Sequence, residues 1–280
     1  MTHNMDRRDA LKLAALGLAG IRPPGISFAA KTAGPPFHGL KVGLTSYSTR
    51  YLGLELTLKA LQSMDIKYIS LKDMHLPVSS TKEERGAALK KIRTAGIEIL
   101  GCGVISLKND EAEIRRALEY TKEIGAPVAN VAPDPSALPA LDKVVKDFDI
   151  LVAIHNHGPE DKKFPSPLGV LDAVQGLDKK IGCCVDVGHT HRLGLDPVDA
   201  LQKCAPRLYG VHVKDVSGLG PKPKNVPLGM GVLDVVGMLK VLLDLRFPHL
   251  VALEYESEPE NPIPGMAASF GYLRGALSAM

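Results

Sequence analysis

The feature that most constrains the fold is a regular alternation that begins at Leu40 and continues to the end of the chain. Short apolar runs rich in β-branched residues alternate with longer segments in which apolar residues recur every three or four positions. The first pattern predicts strands and the second predicts helices. We expect strands at 41–46, 68–73, 97–103, 127–132, 149–155, 181–187, 207–213 and 250–256.

The expected strands are apolar along nearly their whole length, which is typical of a parallel sheet covered on both faces. Eight strand–helix cycles without a break in composition favour one α/β domain, a closed (β/α)8 TIM barrel, over an open doubly wound sheet. No glycine-rich dinucleotide fingerprint follows the first strand. Asp196 and Asp234 are expected to cap helices. The expected helices lie at 54–64, 82–95, 110–124, 136–147, 167–175, 197–204, 232–244 and 265–278.

The first 30 residues resemble an export signal. Arg7 and Arg8 precede a short apolar run at 11–21, which is too short to span a bilayer as a helix, and small residues follow near Ala29. The mature protein would be periplasmic or extracellular, without stable membrane insertion after cleavage. An amphipathic N-terminal helix and an uncleaved anchor are the alternatives. We therefore expect a twin-arginine signal peptide at 1–30, a linker at 31–39 and the barrel at 40–280.

Composition excludes some classes of partner. The net charge is only +3 and no basic stripe carries interleaved aromatics, so no nucleic-acid surface is expected. Aromatic residues make up 5% of the chain and Trp is absent, so platforms for stacking bases or long glycans are scarce. No CxxC pair is present, and we expect the four cysteines to be small buried residues: Cys102, Cys183, Cys184 and Cys204.

Four neighbouring strands of the expected barrel each end in a side chain that can bind a metal ion. In a TIM barrel the carboxyl ends of the strands meet at one face, where catalytic residues lie. Imidazoles and carboxylates converging there would be costly to desolvate without a cation between them. We therefore predict a metal site whose ligands, from the fifth strand to the eighth, are His155, Asp186, His212 and Glu254.

Mixed nitrogen and oxygen ligands suit one divalent ion, Mn²⁺, Co²⁺ or Zn²⁺, with Mg²⁺ less favoured beside two imidazoles. Four protein ligands leave positions for an adjacent carbonyl and hydroxyl of a substrate, so that the ion would stabilise an enediolate. His157 lies on the same face as His155, two residues on. It could instead be the ligand, a base or a substrate contact.

Other polar residues at the strand ends are candidates for contacts with a substrate. Lys214 shares the face of His212 and could bind a substrate hydroxyl or pair with Asp186 or Asp215. The segment from Ser217 to Gly231 could be a lid over the mouth or a plain surface loop. Further candidates are Asp73, His75, Asp161 and Glu256.

The stretches IGCCVDVGHT, LYGVHVKD and ALEYE resemble the sugar phosphate isomerase/epimerase family, the xylose-isomerase-like barrels, over about Leu40 to Met280. The resemblance implies a substrate contact for His189 and a departure at strand five, where ketose epimerases carry a Glu and this chain has His155. It implies one divalent ion held, after strands five to eight, by a carboxylate, Asp186, His212 and Glu254.

These features predict a sugar isomerase or epimerase that abstracts a proton next to a carbonyl. The His at strand five also suits a keto-sugar dehydratase or a 3-keto-glycoside lyase, with His157, Glu254 or Glu256 as base. The substrate would be a small sugar, keto-sugar or glycoside, and a homo-oligomer is compatible with the sequence. A non-catalytic periplasmic sugar-binding protein is the alternative from another class. A DNA repair endonuclease would need more metal ligands and a basic groove.

Overall fold

The structure, a computed structural model, describes residues 36–220 and 223–280. The expected signal peptide at 1–30 lies outside the described residues, as does most of the expected linker, so both stay predictions. Two residues of the segment Ser217 to Gly231 also lie outside them. In the described part of the chain, no helix combines the length and the apolar character needed to cross a membrane.

Eight parallel strands close into a barrel, which confirms the expected single-domain α/β barrel. The strands are β1 Lys41–Thr45, β2 Tyr68–Leu71, β3 Glu98–Leu107, β4 Val128–Pro133, β5 Leu151–His155, β6 Ile181–Asp186, β7 Leu208–Val213, β8 Asp215–Val216, β9 Asn225–Val226 and β10 Leu250–Leu253. The order round the barrel is β1, β10, β7, β6, β5, β4, β3, β2. β8 and β9 form a separate antiparallel pair.

Helices follow the barrel strands and cover their outer faces. Short 3₁₀ helices occur at Ser46–Thr49, Pro135–Ala137 and Ala205–Arg207. The α-helices of the described residues are α1 Leu54–Ser63, α2 Lys82–Thr94, α3 Glu111–Glu123, α4 Leu138–Val145, α5 Pro167–Ala173, α6 Val187–Arg192, α7 Pro197–Cys204, α8 Val235–Asp244 and α9 Ile263–Ser278.

Each strand contributes to two apolar layers because successive side chains point to opposite faces. Ile154 and Val185 belong to the main core that the strands form with the helices. Ala153 and Cys184 pack with Val128 in a smaller cluster inside the barrel. This burial on both faces explains why the strands are apolar throughout. All four cysteines are buried and free, as expected.

Polar caps fix the starts of several helices. At α2, the Thr81 hydroxyl accepts a hydrogen bond from the Glu84 N–H at 3.2 Å, and the Glu84 carboxylate accepts one from the Thr81 N–H at 2.7 Å. Asp196 and Asp234 accept hydrogen bonds from backbone N–H groups at the starts of α7 and α8. The expected capping role of both residues is confirmed.

Several elements differ from the expectation; the last barrel strand, for example, ends at Leu253 and not at residue 256. β3 continues to Leu107, although its predicted end was residue 103. α6 begins at Val187 directly after β6, because Asp186 both ends the strand and caps the helix, its Oδ1 accepting a hydrogen bond from the His189 N–H at 2.8 Å. β9 lies within the segment from Ser217 to Gly231, which was expected to contain no strand.

Candidate metal centre

The carboxyl-terminal face of the barrel carries a layer of polar side chains on β5, β6, β7 and the end of β10. On each strand a small residue precedes the polar one by two positions, so both point to the same face. Ala153 and Cys184 pack inside the barrel, as does Ala252, which shows that this face is the interior. The pairs are Ala153 and His155, Cys184 and Asp186, Gly210 and His212, and Ala252 and Glu254.

Four side chains of this layer converge on one centre. Nε2 of His155 lies 3.0 Å from Nδ1 of His212 and 3.5 Å from Oδ2 of Asp186. Nδ1 of His212 lies 3.4 Å from Oε2 of Glu254. One nitrogen or oxygen atom from each residue lies within 4.8 Å of all the others, and all four residues are buried. The structure thus brings together the four residues that the sequence proposes as ligands, which we call the ligand group.

Lys214 places a positive charge at the edge of the ligand group. Its Nζ lies 2.7 Å from Oε2 of Glu254 and 2.9 Å from Oδ2 of Asp186, and it also contacts the Glu256 carboxylate. The pairing with Asp186 that the sequence left open is therefore present. Apart from the imidazoles, three carboxylates and one ammonium leave a formal charge of −2, which favours a further positive charge at the centre.

Several polar atoms of the ligand group have no hydrogen-bond partner within the described residues. One of them is Oδ2 of Asp186, which faces Nε2 of His155 and whose 2.9 Å contact with Lys214 is not a well-directed hydrogen bond. The others are Nδ1 of His155 and Nε2 of His212, the ring nitrogens opposite the pair that meets at 3.0 Å. Buried polar atoms are seldom left unpaired. Burial lowers the pKa of His155 to about 3, which keeps the ring neutral, as a metal ligand must be. Two nitrogen and two oxygen donors therefore fit a divalent ion.

The acids of the ligand group stay ionised although they are buried. Burial alone would raise their pKa values, but Lys214 holds the pKa of Asp186 well below its ordinary value and, with His212, does the same for Glu254. Burial would lower the pKa of His212, but Cys184 and Glu254 beside it raise it well above its ordinary value. The site therefore favours positive charge, whether proton, ammonium or metal ion.

Asn156, the residue after His155, connects β5 to β6. Its Oδ1 accepts a hydrogen bond from the Asp186 N–H at 2.9 Å. Its Nδ2 donates to the Asp186 carbonyl and to the Thr190 hydroxyl, both at 3.3 Å. The side chain is fully buried, so these bonds fix the backbone from which the Asp186 carboxylate projects.

Three of the expected substrate contacts lie beside the ligand group. The ring centroid of His157 is 4.5 Å from that of His155 and 6.0 Å from that of His189. Nδ1 of His157 lies 3.4 Å from Oδ2 of Asp161, and its side chain is 37% exposed. Burial lowers the pKa of His157. The structure thus places His157, His189 and Asp161 on the open side of the ligand group, and His155 within it.

Asp73 and His75 lie elsewhere, after β2 on the other side of the barrel. Nδ1 of His75 lies 3.0 Å from the Ser46 hydroxyl, and Nε2 lies 2.9 Å from the Leu52 carbonyl. Both ring nitrogens of this buried histidine are therefore engaged within the protein, and its contact with a substrate stays a prediction. Asp73 is exposed beside Lys72 and lines a cavity of about 750 Å³ between the β2–α2 loop and α3.

A smaller pocket of about 240 Å³ opens beside the ligand group. Nη1 of Arg192 lies 3.0 Å from Nδ1 of His189, and the guanidinium also contacts Glu160. The sequence did not single out Arg192, although its spacing of three from His189 would place both on one face of a helix once α6 is recognised. The pocket wall includes Lys214, Glu256, His189, Arg192 and Asn225.

Asp215 organises the segment that borders this pocket. Its carboxylate accepts hydrogen bonds at 2.9–3.1 Å from the backbone N–H groups of Val216, Gly229, Gly231 and Leu233. In β9, Oδ1 of Asn225 accepts a hydrogen bond at 3.2 Å from the Glu256 N–H, beyond β10. The segment from Ser217 to Gly231 is therefore tied to two sides of the pocket, and its motion as a lid stays a prediction.

The geometry agrees with the family to which the chain is similar. The family model of the xylose isomerase-like TIM barrel matches residues 58–276. The chain belongs to this family. The match extends from α1 into α9 and so includes every residue of the ligand group, which confirms the resemblance drawn from the strand-end motifs. Curated protein sequences give no match.

Solved structures of xylose isomerase-like barrels share the fold. The 3-keto-D-glucoside 4-epimerase of E. coli is 16% identical with a TM-score of 0.69, covering 84% of this chain and 99% of that one. The probable 3-DHS dehydratase AsbF of Bacillus anthracis is 14% identical with a TM-score of 0.68, covering 84% and 98%. The IOLI protein, solved with a zinc atom, is 15% identical with a TM-score of 0.71, covering 86% and 99%. At these identities the similarity concerns the fold.

Proposed function

We propose that this chain is a divalent-metal-dependent sugar isomerase or epimerase that abstracts a proton next to a carbonyl. The observation that carries the proposal is the convergence of two imidazoles and two carboxylates within 4.8 Å at the catalytic face of the barrel. The three carboxylates around one ammonium, and Oδ2 of Asp186 without a well-directed hydrogen bond, support a cation there. The zinc atom in the structure of the IOLI protein adds support by analogy.

His155, Asp186, His212 and Glu254 would hold the ion, and Mn²⁺, Co²⁺ and Zn²⁺ suit these donors best. An ion bound there would supply a Lewis acid that stabilises negative charge on the oxygen of a substrate carbonyl. The protein contributes a buried floor of small side chains below the ligand group, which keeps water away from the underside of the site. Substrate therefore approaches from the open side only.

Among the three candidate bases, the geometry favours His157. Glu254 and Glu256 both contact the Lys214 ammonium, whereas His157 is partly exposed beside the ligand group. Asp161, at 3.4 Å from Nδ1, would orient the ring with its proton on Nδ1. Nε2 would then be free to accept a proton from the substrate carbon.

The pocket wall would bind the hydroxyl groups of a small sugar. His189 and Arg192 lie side by side on α6, and Asn225 and Glu256 border the same space. Such a wall offers both hydrogen-bond donors and acceptors, which suits a neutral polyol. A keto-sugar or a keto-glycoside is the substrate class we propose.

A dehydratase or lyase is the second candidate, and the nature of the strand-five residue favours it. His155 replaces a carboxylate in the ligand group, so a single glutamate, Glu254, belongs to that group. Proton transfer across both faces of a substrate by two metal-binding glutamates is therefore not available. Abstraction by His157 followed by loss of a β-leaving group needs one base only.

Incubation of the purified chain with Mn²⁺ or Zn²⁺ and a panel of keto-sugars in D₂O tests both candidates. We expect an isomer that carries solvent deuterium, and an unsaturated or cleaved product would select the lyase. The His157→Asn variant should lose at least about a hundredfold in rate while its bound metal is retained. His249→Asn, at the opposite end of the barrel, is the control. Tight sugar binding without turnover would instead select a binding protein.

A further inference from the structure

The Lys214 ammonium contacts one carboxylate oxygen of Asp186 and one of Glu254, and these are the oxygens that face the imidazoles of the ligand group. Oε2 of Glu254 is 2.7 Å from Nζ of Lys214 and 3.4 Å from Nδ1 of His212. Oδ2 of Asp186 is 2.9 Å from the same Nζ and 3.5 Å from Nε2 of His155. The oxygens that would bind a metal ion are therefore the ones that bind the lysine.

An ammonium and a divalent cation cannot share these oxygens at low cost. Both charges would lie only a few ångströms apart in a buried site, where repulsion is weakly screened. The side chain of Lys214 is 3% exposed, so water does little to separate them. Metal binding must therefore compete with the lysine for Asp186 and Glu254.

The surroundings offer the lysine a second position. Its third partner, Glu256, has a side chain that is 34% exposed and borders the pocket of about 240 Å³. An ammonium that left Asp186 and Glu254 would keep a carboxylate partner there. Gly188 gives room to the lysine stem, because a Cβ at that position would lie 2.6 Å from Cδ of Lys214.

We infer that Lys214 holds the place of the divalent ion in the metal-free protein, and that metal binding moves its ammonium toward Glu256 and the substrate pocket. The inference rests on the proposed metal centre and adds a role for a positioning residue. Lys214 weakens metal binding, and it presents its charge to the pocket only after the ion is bound. Substrate binding and metal binding are thereby coupled.

Zn²⁺ affinity, measured by competition with a chromophoric chelator, tests the inference on the full chain. We expect Lys214→Met to bind Zn²⁺ about tenfold or more tightly than the unmodified chain, because a competing charge is gone. Lys163→Met is the matched control, since Lys163 pairs with Asp134 at the same end of the barrel and its loss changes the net charge equally. Equal affinity of the two variants overturns the inference.

A second measurement needs no variant and holds if Lys214→Met does not fold. The chain is treated with acetic anhydride with and without Zn²⁺, and labelling of each lysine is read by peptide mass spectrometry. We expect labelling of Lys214 to rise severalfold with Zn²⁺ while that of Lys163 is constant, and unchanged labelling of Lys214 contradicts the inference. Metal content is measured on the same sample: a chain that retains no zinc refutes the proposed metal centre itself, whereas a zinc-loaded chain with a protected Lys214 refutes this inference alone.

Discussion

The two halves of the barrel mouth place buried histidines in opposite circumstances. After β2, both ring nitrogens of His75 are bonded within the protein, to Ser46 and Leu52. At the ends of β5 and β7, His155 and His212 each keep a buried ring nitrogen without a hydrogen-bond partner within the described residues. A histidine at a strand end therefore has one of two roles, and its partners distinguish them.

This difference between the two halves shows that a ligand site can be recognised from the free-energy cost of buried polar atoms without partners. A buried polar atom without a partner destabilises a protein by about 1–3 kcal/mol, and Oδ2 of Asp186, which faces His155 and Lys214 without a well-directed hydrogen bond, is such an atom at the centre of the ligand group. This half of the mouth also carries three carboxylates around one ammonium. The half with His75 needs no ligand to account for its contacts.

The largest expected effect separates the two halves by metal affinity. Asp186→Asn keeps the shape of the side chain but removes a charged ligand, so we expect Zn²⁺ affinity to fall more than about a hundredfold. Asp73→Asn, on the exposed side of β2, should leave the affinity unchanged. Isothermal titration calorimetry measures the Zn²⁺ affinity of both variants. If Asp186→Asn binds Zn²⁺ as tightly as the unmodified chain, the two halves of the barrel mouth do not differ in metal binding.

A smaller loss of Zn²⁺ affinity is expected for a change at a residue that positions a metal-binding side chain. Asn156→Ala removes the hydrogen bonds that hold the Asp186 backbone, so affinity for Zn²⁺ should fall about tenfold to a hundredfold. The exposed Asn109→Ala is the control. If calorimetry shows lower stability but normal Zn²⁺ affinity, Asn156 supports only the fold.

In contrast to Asp186 and Asn156, His75 should affect the stability of the fold and not the affinity for Zn²⁺. His75→Leu leaves the Ser46 hydroxyl and the Leu52 carbonyl without their partner, which should lower the free energy of unfolding by about 1–3 kcal/mol. Zn²⁺ affinity should not change. Urea denaturation and calorimetry on the same preparation check both statements, and a loss of metal affinity would assign His75 to the site.

The smallest effect concerns pH. Burial lowers the pKa of His75, so the folded protein favours the neutral ring and this contribution to stability is complete above the ordinary histidine pKa of about 6.5. It is lost as the pH falls below that value, because the unfolded chain then binds more protons. The stability advantage of the unmodified chain over His75→Leu should therefore shrink between pH 7.5 and pH 5.5 in urea titrations. If the stability advantage of the unmodified chain instead grows as the pH falls, the folded protein favours the protonated ring of His75, which contradicts the account.

The barrel and the ligand group could be predicted from sequence for the same reason. Parallel strands end at one face, so His155, Asp186, His212 and Glu254 had to be neighbours once the strands were identified. The alternation of side chains explains why the small residue two positions earlier lies beneath each of them.

Other features depended on contacts between distant segments. The sequence could not show that Lys214 contacts three carboxylates, or that the His75 ring is enclosed by the loops after β1 and β2. α6 was missed because Asp186 serves as strand end and helix cap together. The pair of β8 and β9 was missed because each strand has only two residues, too few for a period-two pattern.

Anomalous diffraction from crystals of the zinc-loaded chain tests the central claim most directly. We predict one zinc ion per chain at the carboxyl-terminal face of the barrel, coordinated by both the imidazoles of His155 and His212 and the carboxylates of Asp186 and Glu254. A zinc ion bound elsewhere, or an anomalous map without a peak between these four side chains, would contradict the claim.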